Sequence, residues 1–121
     1  MIKLVCFMNR KQGMSMQDFV SYYEERHVPL INRLVPFHSD YRRNFIVEGS
    51  SHRPAHLDPA RGDTREFDVM TELIYETPAD YHKVMDALAD PEIGRIIAGD
   101  EAKFFDRASI RTFVVDERRS I

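Results

Sequence analysis

The chain has 121 residues, of which 43% are hydrophobic and 31% charged, with a formal net charge of -3 and a pI near 5.9. This length suits one domain with its own core, so we predict a single domain over residues 1–121. A slightly acidic chain with scattered arginines offers no basic face for a nucleic acid, and its apolar runs are too short for a membrane span or a signal peptide.

Cysteine usage indicates the redox environment. A single cysteine, Cys6, excludes an intrachain disulfide and fits a reducing compartment, so we expect a cytoplasmic protein. Cys6 lies in an apolar run with no cation beside it, which predicts an inert buried thiol rather than a nucleophile.

The first two elements are a strand and a long helix. Residues 2–9 are consecutively apolar from Leu4 to Met8, which predicts a strand buried on both faces. Ser15 is predicted to cap a helix that runs from residue 16 to about residue 34. Pro29 removes one amide donor from that helix, so we expect a kink or local break there, on the turn that carries His27.

His27 is the main functional clue in this helix. Apolar side chains recur around it at helical spacing, so the imidazole is expected to point inward with them. A buried imidazole has a partner or takes part in acid–base chemistry, because leaving it unpaired costs free energy. The alternative is a structural histidine bonded to a backbone carbonyl, such as the one that Pro29 frees at Glu25.

The middle of the chain is predicted to hold two strands and a long loop. Residues 39–48 alternate as a second strand, and residues 67–76 as a third, with Tyr75 facing the core. The polar stretch 49–66 is longer than a hairpin loop and could form a mobile flap. His52 and His56 lie in it, and we interpret them as surface residues rather than a metal-binding pair.

The last part of the chain is predicted to contain a helix, two short helical segments and a strand. Thr77 and Pro78 open the helix, and Asp90 ends it before Pro91. A short segment follows up to Gly99, and Asp100 is predicted to cap one more helical turn. Residues 107–116 form the fourth strand, and His82 is predicted to be structural.

This order predicts an α+β fold, the ferredoxin-like βαββαβ arrangement, with two helices on one face of a four-stranded antiparallel sheet. The other face needs a cover, because the first strand is apolar on both sides. A second copy of the sheet is the simplest cover, so we predict a homodimer.

Motifs for cofactors are missing from the sequence. It holds no His, Cys and carboxylate cluster at metal-ligand spacing, no glycine-rich phosphate loop and no dinucleotide fingerprint. We therefore expect neither a metal nor another cofactor, and any chemistry is predicted to be proton transfer on a mostly apolar small molecule.

Several short motifs in this order resemble the EthD-like branch of the dimeric α+β barrel proteins. Two motifs lie in the first part of the chain: Arg10 to Ser15 followed by Phe19, and Tyr22-Tyr23 followed by His27 to Leu30. Three more lie further on: Tyr41 with Arg43 and Asn44 in the second strand, Phe67-Asp68 at the start of the third strand, and Asp100 to Asp106 before the last strand. Together they cover nearly the whole chain apart from the 49–66 loop. The family pair at residues 22 and 23 is commonly Tyr-Trp, whereas this chain has two tyrosines and no Trp.

The resemblance implies a ferredoxin-like protomer, a sheet-to-sheet dimer and a ligand pocket between the sheet and its helices. It implies His27 as the acid–base residue, with Asp68 or Asp100 orienting the imidazole or holding a loop. The predicted catalytic residues are His27 and Asp68. The predicted substrate-binding residues are Tyr22, Tyr23, Asn44, Tyr75, Asp100 and Phe104. For Asp68 the alternative is a strand-edge carboxylate paired with an arginine, and for Asn44 a solvated strand residue.

Family activities are diverse, so the resemblance narrows the pocket more than the reaction. The first hypothesis is a cofactor-free enzyme acting on an aromatic, polyketide-like or ether-degradation-related compound, as a cyclase, dehydratase, isomerase or oxygenase. The second is a carrier that delivers such a compound to a partner oxygenase. The third is haem binding through a histidine.

Overall fold

The protein folds as one four-stranded sheet with helices on one face. The structure, a computed structural model, describes residues 1–58 and 67–121. The strands are β1 (Ile2–Arg10), β2 (Asp40–Phe45), β3 (Val69–Tyr75) and β4 (Phe105–Val115). The helices are α1 (Met16–Tyr22), a π-helical turn (Tyr23–His27), α2 (Val28–Leu34), α3 (Pro78–Ala89) and α4 (Pro91–Glu101).

The strand order is β2-β3-β1-β4, and every neighbouring pair is antiparallel. The predicted α+β, ferredoxin-like βαββαβ topology is therefore confirmed, although two consecutive helices, α3 and α4, stand where one helix and shorter segments were predicted. β1 pairs with β3 from Ile2↔Tyr75 to Met8↔Val69. The central position of β1 explains its continuous apolar run, because both faces of a central strand can be covered.

The sheet has one face toward the helices and one away from them. Leu4, Cys6 and Met8 of β1 face the helices, and so do Thr71 and Tyr75 of β3. The alternate positions of the same strands lie on the opposite face, because side chains alternate along a strand. They include Val5 and Phe7 in β1 and Glu72 in β3.

The first helix contains the predicted local break. Ser15 caps it, since its side chain accepts a hydrogen bond from the Asp18 amide at 3.0 Å. From Tyr23 to His27 the backbone widens into a π turn, in which the Val28 amide donates to the Tyr23 carbonyl. The prediction that Pro29 breaks the helix on the turn carrying His27 is confirmed, since the π turn ends at His27. This wider turn accommodates a proline ring that would otherwise press on the carbonyl four residues earlier.

Several predicted boundaries were wrong. β3 is Val69–Tyr75 instead of residues 67–76, and β4 begins at Phe105 instead of residue 107. β2 ends at Phe45 instead of residue 48. α4 runs without interruption from Pro91 to Glu101, because Asp90 caps it through the Glu92 and Ile93 amides and Gly99 is accommodated inside it. The predicted flap at 49–66 falls partly outside the described residues.

Two apolar clusters form the core on the helix side of the sheet. One centres on Phe19, Tyr23 and Phe104, and the other on Leu4, Tyr75 and Val84. Cys6 packs against both clusters. Among the helices of the described residues, none combines the length and apolar character needed to cross a membrane.

Candidate functional site

A cavity of about 350 Å³ lies between the sheet and the helices. We call it the sheet–helix cavity. Most of the lining surface is apolar and comes from both layers, and nine of the lining residues carry titratable or hydroxyl groups. These polar lining residues are Cys6, Tyr23, His27, His38, Tyr41, Thr71, Tyr75, Glu101 and Thr112. A cavity of this kind suits a small, mostly apolar ligand held by a few polar groups.

His27 is buried at the end of the π turn and reaches this cavity. Its Nδ1 atom lies 2.8 Å from Oδ2 of Asp100, and the imidazole is 4% exposed. The hydrogen bond uses Nδ1 and leaves Nε2 as the ring nitrogen that can meet a ligand. The partner of His27 is therefore a carboxylate, and not the backbone carbonyl that the alternative interpretation predicted.

Asp100 lies in the last turn of α4, so its prediction as a helix N-cap was wrong. Gly99 suggested a helix end just before it, but the helix continues and aims the carboxylate at His27. The second oxygen of Asp100, Oδ1, accepts a hydrogen bond from the Tyr22 hydroxyl at 2.6 Å. Both carboxylate oxygens are therefore bonded, which fixes the carboxylate against the imidazole.

Aromatic rings enclose the imidazole. The ring centroid of His27 lies 4.9 Å from that of Phe104, 5.7 Å from that of Phe105 and 5.5 Å from that of Tyr23. Phe104 is fully buried and packs beneath His27 as a support, rather than among the cavity-lining residues. This packing holds one orientation of the ring, because rotation would meet the neighbouring rings.

Three hydroxyl groups connect near the middle of the cavity. The Tyr23 hydroxyl lies 2.7 Å from Oγ1 of Thr71, and the Tyr41 hydroxyl donates to that of Tyr23 at 3.3 Å. Burial raises the pKa of Tyr23 to about 12 and raises that of Tyr41 well above its usual value, so both are neutral donors at physiological pH. The Arg43 guanidinium lies 4.8 Å from the Tyr41 ring centroid and is paired with Glu24 at 2.8 Å.

The structure brings some predicted site residues together and separates others. His27, Tyr23 and Tyr75 line the sheet–helix cavity, while Tyr22, Asp100 and Phe104 contact His27 or support it from outside the lining.

Asp68 and Asn44 lie elsewhere. Asp68 is buried and accepts a hydrogen bond from the Arg10 amide at 2.8 Å, a position that matches its interpretation as a strand-edge carboxylate beside an arginine. Asn44 is on the opposite face of the sheet, where it donates to the Met70 carbonyl at 3.0 Å.

Sequence reasoning missed five polar residues of the cavity as site residues, namely His38, Tyr41, Thr71, Glu101 and Thr112. Tyr41 appeared in a family motif, and its alternation with Arg43 and Phe45 along β2 could have placed it beside Tyr23. Thr71 is a strand threonine with no separate signal. His38 follows Pro36 in a connection; its pKa is lowered by burial, and its Nε2 lies 2.8 Å from Oδ1 of Asn32.

Candidate metal ligands were sought among residues 1–58 and 67–121. No three His, Cys, Asp or Glu side chains in these ranges lie close enough together to hold a metal ion. His52 is exposed in the loop and bonds the Ser50 carbonyl at 3.1 Å.

The sheet order, the helical layer and the cavity between them define a ferredoxin-like α+β protein with a ligand-sized internal site. Within that class the chain belongs to the EthD domain family, whose model matches residues 11–108. No curated protein compared with the sequence matches it.

Solved structures show the same fold. An EthD family protein from Bacillus halodurans is 20% identical, with a TM-score of 0.62 over 98% of this chain and 99% of that chain. An EthD-like protein from Ralstonia eutropha is 23% identical, with a TM-score of 0.55 over 94% of this chain and 86% of that one. A dimeric ferredoxin-like protein from Thermobifida fusca is 10% identical, with a TM-score of 0.50 over 94% and 86% of the two chains.

Proposed function

We propose that this protein binds a mostly apolar small molecule in the sheet–helix cavity and that His27 transfers a proton on it without a cofactor. The observation that carries the proposal is the 2.8 Å contact between His27 Nδ1 and Asp100 Oδ2, made at the wall of an apolar cavity. The ligand class we favour is an aromatic or polyketide-like compound, or one related to ether degradation.

The carboxylate determines which imidazole nitrogen reacts. Asp100 accepts a hydrogen bond, so neutral His27 carries its proton on Nδ1 and presents the Nε2 lone pair to the cavity. Nε2 takes a proton from a C–H or O–H acid of the ligand, and the positive charge that forms lies beside the carboxylate. The proton then returns to another atom of the same ligand.

This cycle serves a cyclisation, dehydration or isomerisation. With dioxygen as a co-substrate that reacts with the deprotonated ligand, it also serves a cofactor-free oxygenation. Proton transfer by a positioned group typically contributes about a hundred- to ten-thousand-fold in rate. The hydroxyl group of Tyr23, neutral and bonded to Thr71, lies on the same cavity wall and can donate to an oxygen of the ligand.

The proposal includes a homodimer formed through the sheet face that lies away from the helices. Phe113 and Val115 of β4 lie on that face and are 50% and 38% exposed. Covering such apolar side chains with a second copy of the sheet is favourable, and the Thermobifida fusca relative is dimeric. A cytoplasmic location remains a prediction from the single cysteine.

The test is a thermal-shift screen of phenols, β-diketones, lactones and aromatic polyketides, followed by turnover assays on every hit. Ligand binding raises the melting temperature by mass action. His27→Gln is compared with wild type, and His52→Gln is the matched control because His52 is an exposed histidine of the loop.

We expect wild type and His52→Gln to convert a hit that His27→Gln binds but leaves unchanged. Binding without conversion by all three proteins would favour a carrier that serves a partner oxygenase. Conversion at the full rate by a folded His27→Gln protein would refute the catalytic role.

A further inference from the structure

Tyr75 is a buried tyrosine of the cavity wall whose hydroxyl group has no hydrogen-bond partner among the described residues. Its side chain is 1% exposed and lines the sheet–helix cavity. Among residues 1–58 and 67–121, nothing forms a hydrogen bond with this hydroxyl. By contrast, the hydroxyls of Tyr22, Tyr23 and Tyr41 are all bonded to protein atoms.

In the described part of the chain, the only fully buried side-chain oxygen or nitrogen without a partner is Asn9 Oδ1. The small accessible part of Tyr75 therefore includes its hydroxyl, which is available to a molecule in the cavity that the side chain lines. A phenylalanine at this position would fill nearly the same space but could not donate a hydrogen bond there. Because burial raises the pKa of Tyr75 to about 12, the group is a neutral phenol that can donate a hydrogen bond at physiological pH.

Tyr75 and His27 lie toward opposite ends of the cavity. Tyr75 pairs with Ile2 at the start of β1, whereas His27 packs on Phe105, which pairs with Arg10 at the end of β1. The two residues also pack against different parts of the core. Tyr75 is a member of the apolar cluster that contains Leu4 and Val84, whereas the ring of His27 packs against Tyr23 of the other cluster.

The length of β3 gives a scale for this separation. Thr71, which bonds Tyr23 near His27, and Tyr75 are four residues apart on one strand, or about 13 Å along it. A compound that reaches from one region to the other is longer than a single aromatic ring.

We propose that the Tyr75 hydroxyl is a second hydrogen-bonding point for the ligand, which accordingly is an elongated molecule with an oxygen function near each end. One end carries the acidic C–H or O–H group that meets His27. The other end carries a carbonyl, ether or hydroxyl oxygen that accepts from Tyr75, and the body between them is apolar. This inference rests on the proposed use of the cavity as a ligand site.

The side chains around Tyr75 agree with this arrangement. Leu73 precedes it by two residues on the same face of β3, and Val84, Met85 and Leu88 of α3 close the cavity above it. These apolar groups shield a hydrogen bond from water, which strengthens it. The ring of Tyr75 is held separately by an edge contact with Tyr81, with centroids 5.5 Å apart.

The test uses two probes of nearly equal shape. One is a para-hydroxybiphenyl with an acetyl group at the far para position, and the other carries an isopropyl group there. Affinities of both are measured by calorimetry for wild type, Tyr75→Phe and Tyr81→Phe. Tyr81→Phe is the matched control, because it removes a neighbouring phenol that does not line the cavity.

We expect the ratio of acetyl to isopropyl affinity to fall about two- to tenfold in Tyr75→Phe, the size of one hydrogen bond, and to stay unchanged in Tyr81→Phe. An unchanged ratio in a folded Tyr75→Phe protein would overturn the second hydrogen-bonding point while leaving the cavity as a ligand site. Failure of wild type to bind either probe would overturn both proposals.

Discussion

His27 and Asp100 are 73 positions apart in the sequence, yet Nδ1 of the imidazole lies 2.8 Å from a carboxylate oxygen. The π turn presents the histidine and the last turn of α4 presents the carboxylate, so the pair forms only when the first helix and α4 lie side by side. Tyr22, next to the same turn, holds the other carboxylate oxygen. The pair joins two helices of the layer that covers the sheet.

The pair predicts the tautomer of His27. In wild type we expect neutral His27 to be protonated on Nδ1, because Asp100 only accepts at that atom. In Asp100→Asn the amide can donate as well as accept, so the form protonated on Nε2 should gain population. Nitrogen-15 NMR of the imidazole distinguishes the two forms. A wild-type spectrum with the proton on Nε2 would contradict the proposed direction of proton transfer.

Tyr22→Phe should lower the free energy of unfolding by about 1–2 kcal/mol. The substitution removes the 2.6 Å hydrogen bond to Asp100 and leaves one carboxylate oxygen without its donor. Urea denaturation measures the change, with Tyr81→Phe as a control of the same chemistry, since the Tyr81 hydroxyl makes no hydrogen bond among the described residues. Equal effects of the two substitutions would show that the bond to Asp100 adds no stability.

The buried tyrosines predict a loss of stability at alkaline pH. Burial raises the pKa of Tyr23 and Tyr75 from 10.0 to about 12 in the folded state. The unfolded chain therefore loses these protons first, so stability is fully present below pH 10 and falls as the pH rises from 10 toward 12. Each group contributes at most about 1.4 kcal/mol per pH unit.

Urea melts at a series of pH values test this fall, and tyrosinate absorbance follows the ionisation directly. In Tyr23→Phe the decline should be shallower. A free energy of unfolding that stays constant over this range would contradict the burial of these phenols.

Cys6 should react slowly with alkylating reagents. It lines the cavity, and burial raises the pKa of its thiol, so little thiolate forms at neutral pH. Mass spectrometry after iodoacetamide treatment should show little modification in buffer and complete modification in urea. Rapid alkylation of the folded protein would mean that the thiol is activated, contrary to its predicted inert character.

Phe113→Asp should dissociate the proposed homodimer. Phe113 is half exposed on the sheet face away from the helices, and its ring centroid lies 6.1 Å from that of Phe7. Placing a carboxylate between two packed sheets would cost several kcal/mol. Light scattering should give a dimer mass for wild type and for Leu57→Asp, whose position is equally exposed in the loop, and a monomer mass for Phe113→Asp. A monomeric wild type would refute the dimer itself.

Local sequence signals were sufficient for the element order. These signals depend only on neighbouring residues in the chain: the alternation in β3, the continuous apolar run of β1 and the helix caps at Ser15 and Thr77. The structure contains all of these features. The π turn was anticipated as a break because Pro29 makes it locally necessary. Its extent, from Tyr23 to His27, depends on packing against the sheet.

The partners of the site were harder to predict because they depend on packing between distant segments. Asp68 and Asp100 were both plausible carboxylates for His27, and no local rule separates them. Gly99 suggested a helix end before Asp100, so a capping role was assigned to a residue that in fact projects from the last turn of α4. The link from Tyr41 to Tyr23 likewise joins a strand and a helix whose juxtaposition only the fold supplies.

The π turn also has a consequence for the number of residues in the first helix. Phe19, Tyr23, His27, Ile31 and Val35 face the core or the cavity and recur every four residues. In an unbroken α-helix, side chains four residues apart point in directions that differ by about 40° around the helix axis. Over the whole series the difference reaches roughly 160°, so the last side chain would point away from the sheet. The one extra residue of the π turn recovers about 100° of this difference. A sequence alignment with relatives must therefore allow for the extra residue of the π turn. An alignment that ignores it would pair His27 with the wrong residue, even if every other residue matched.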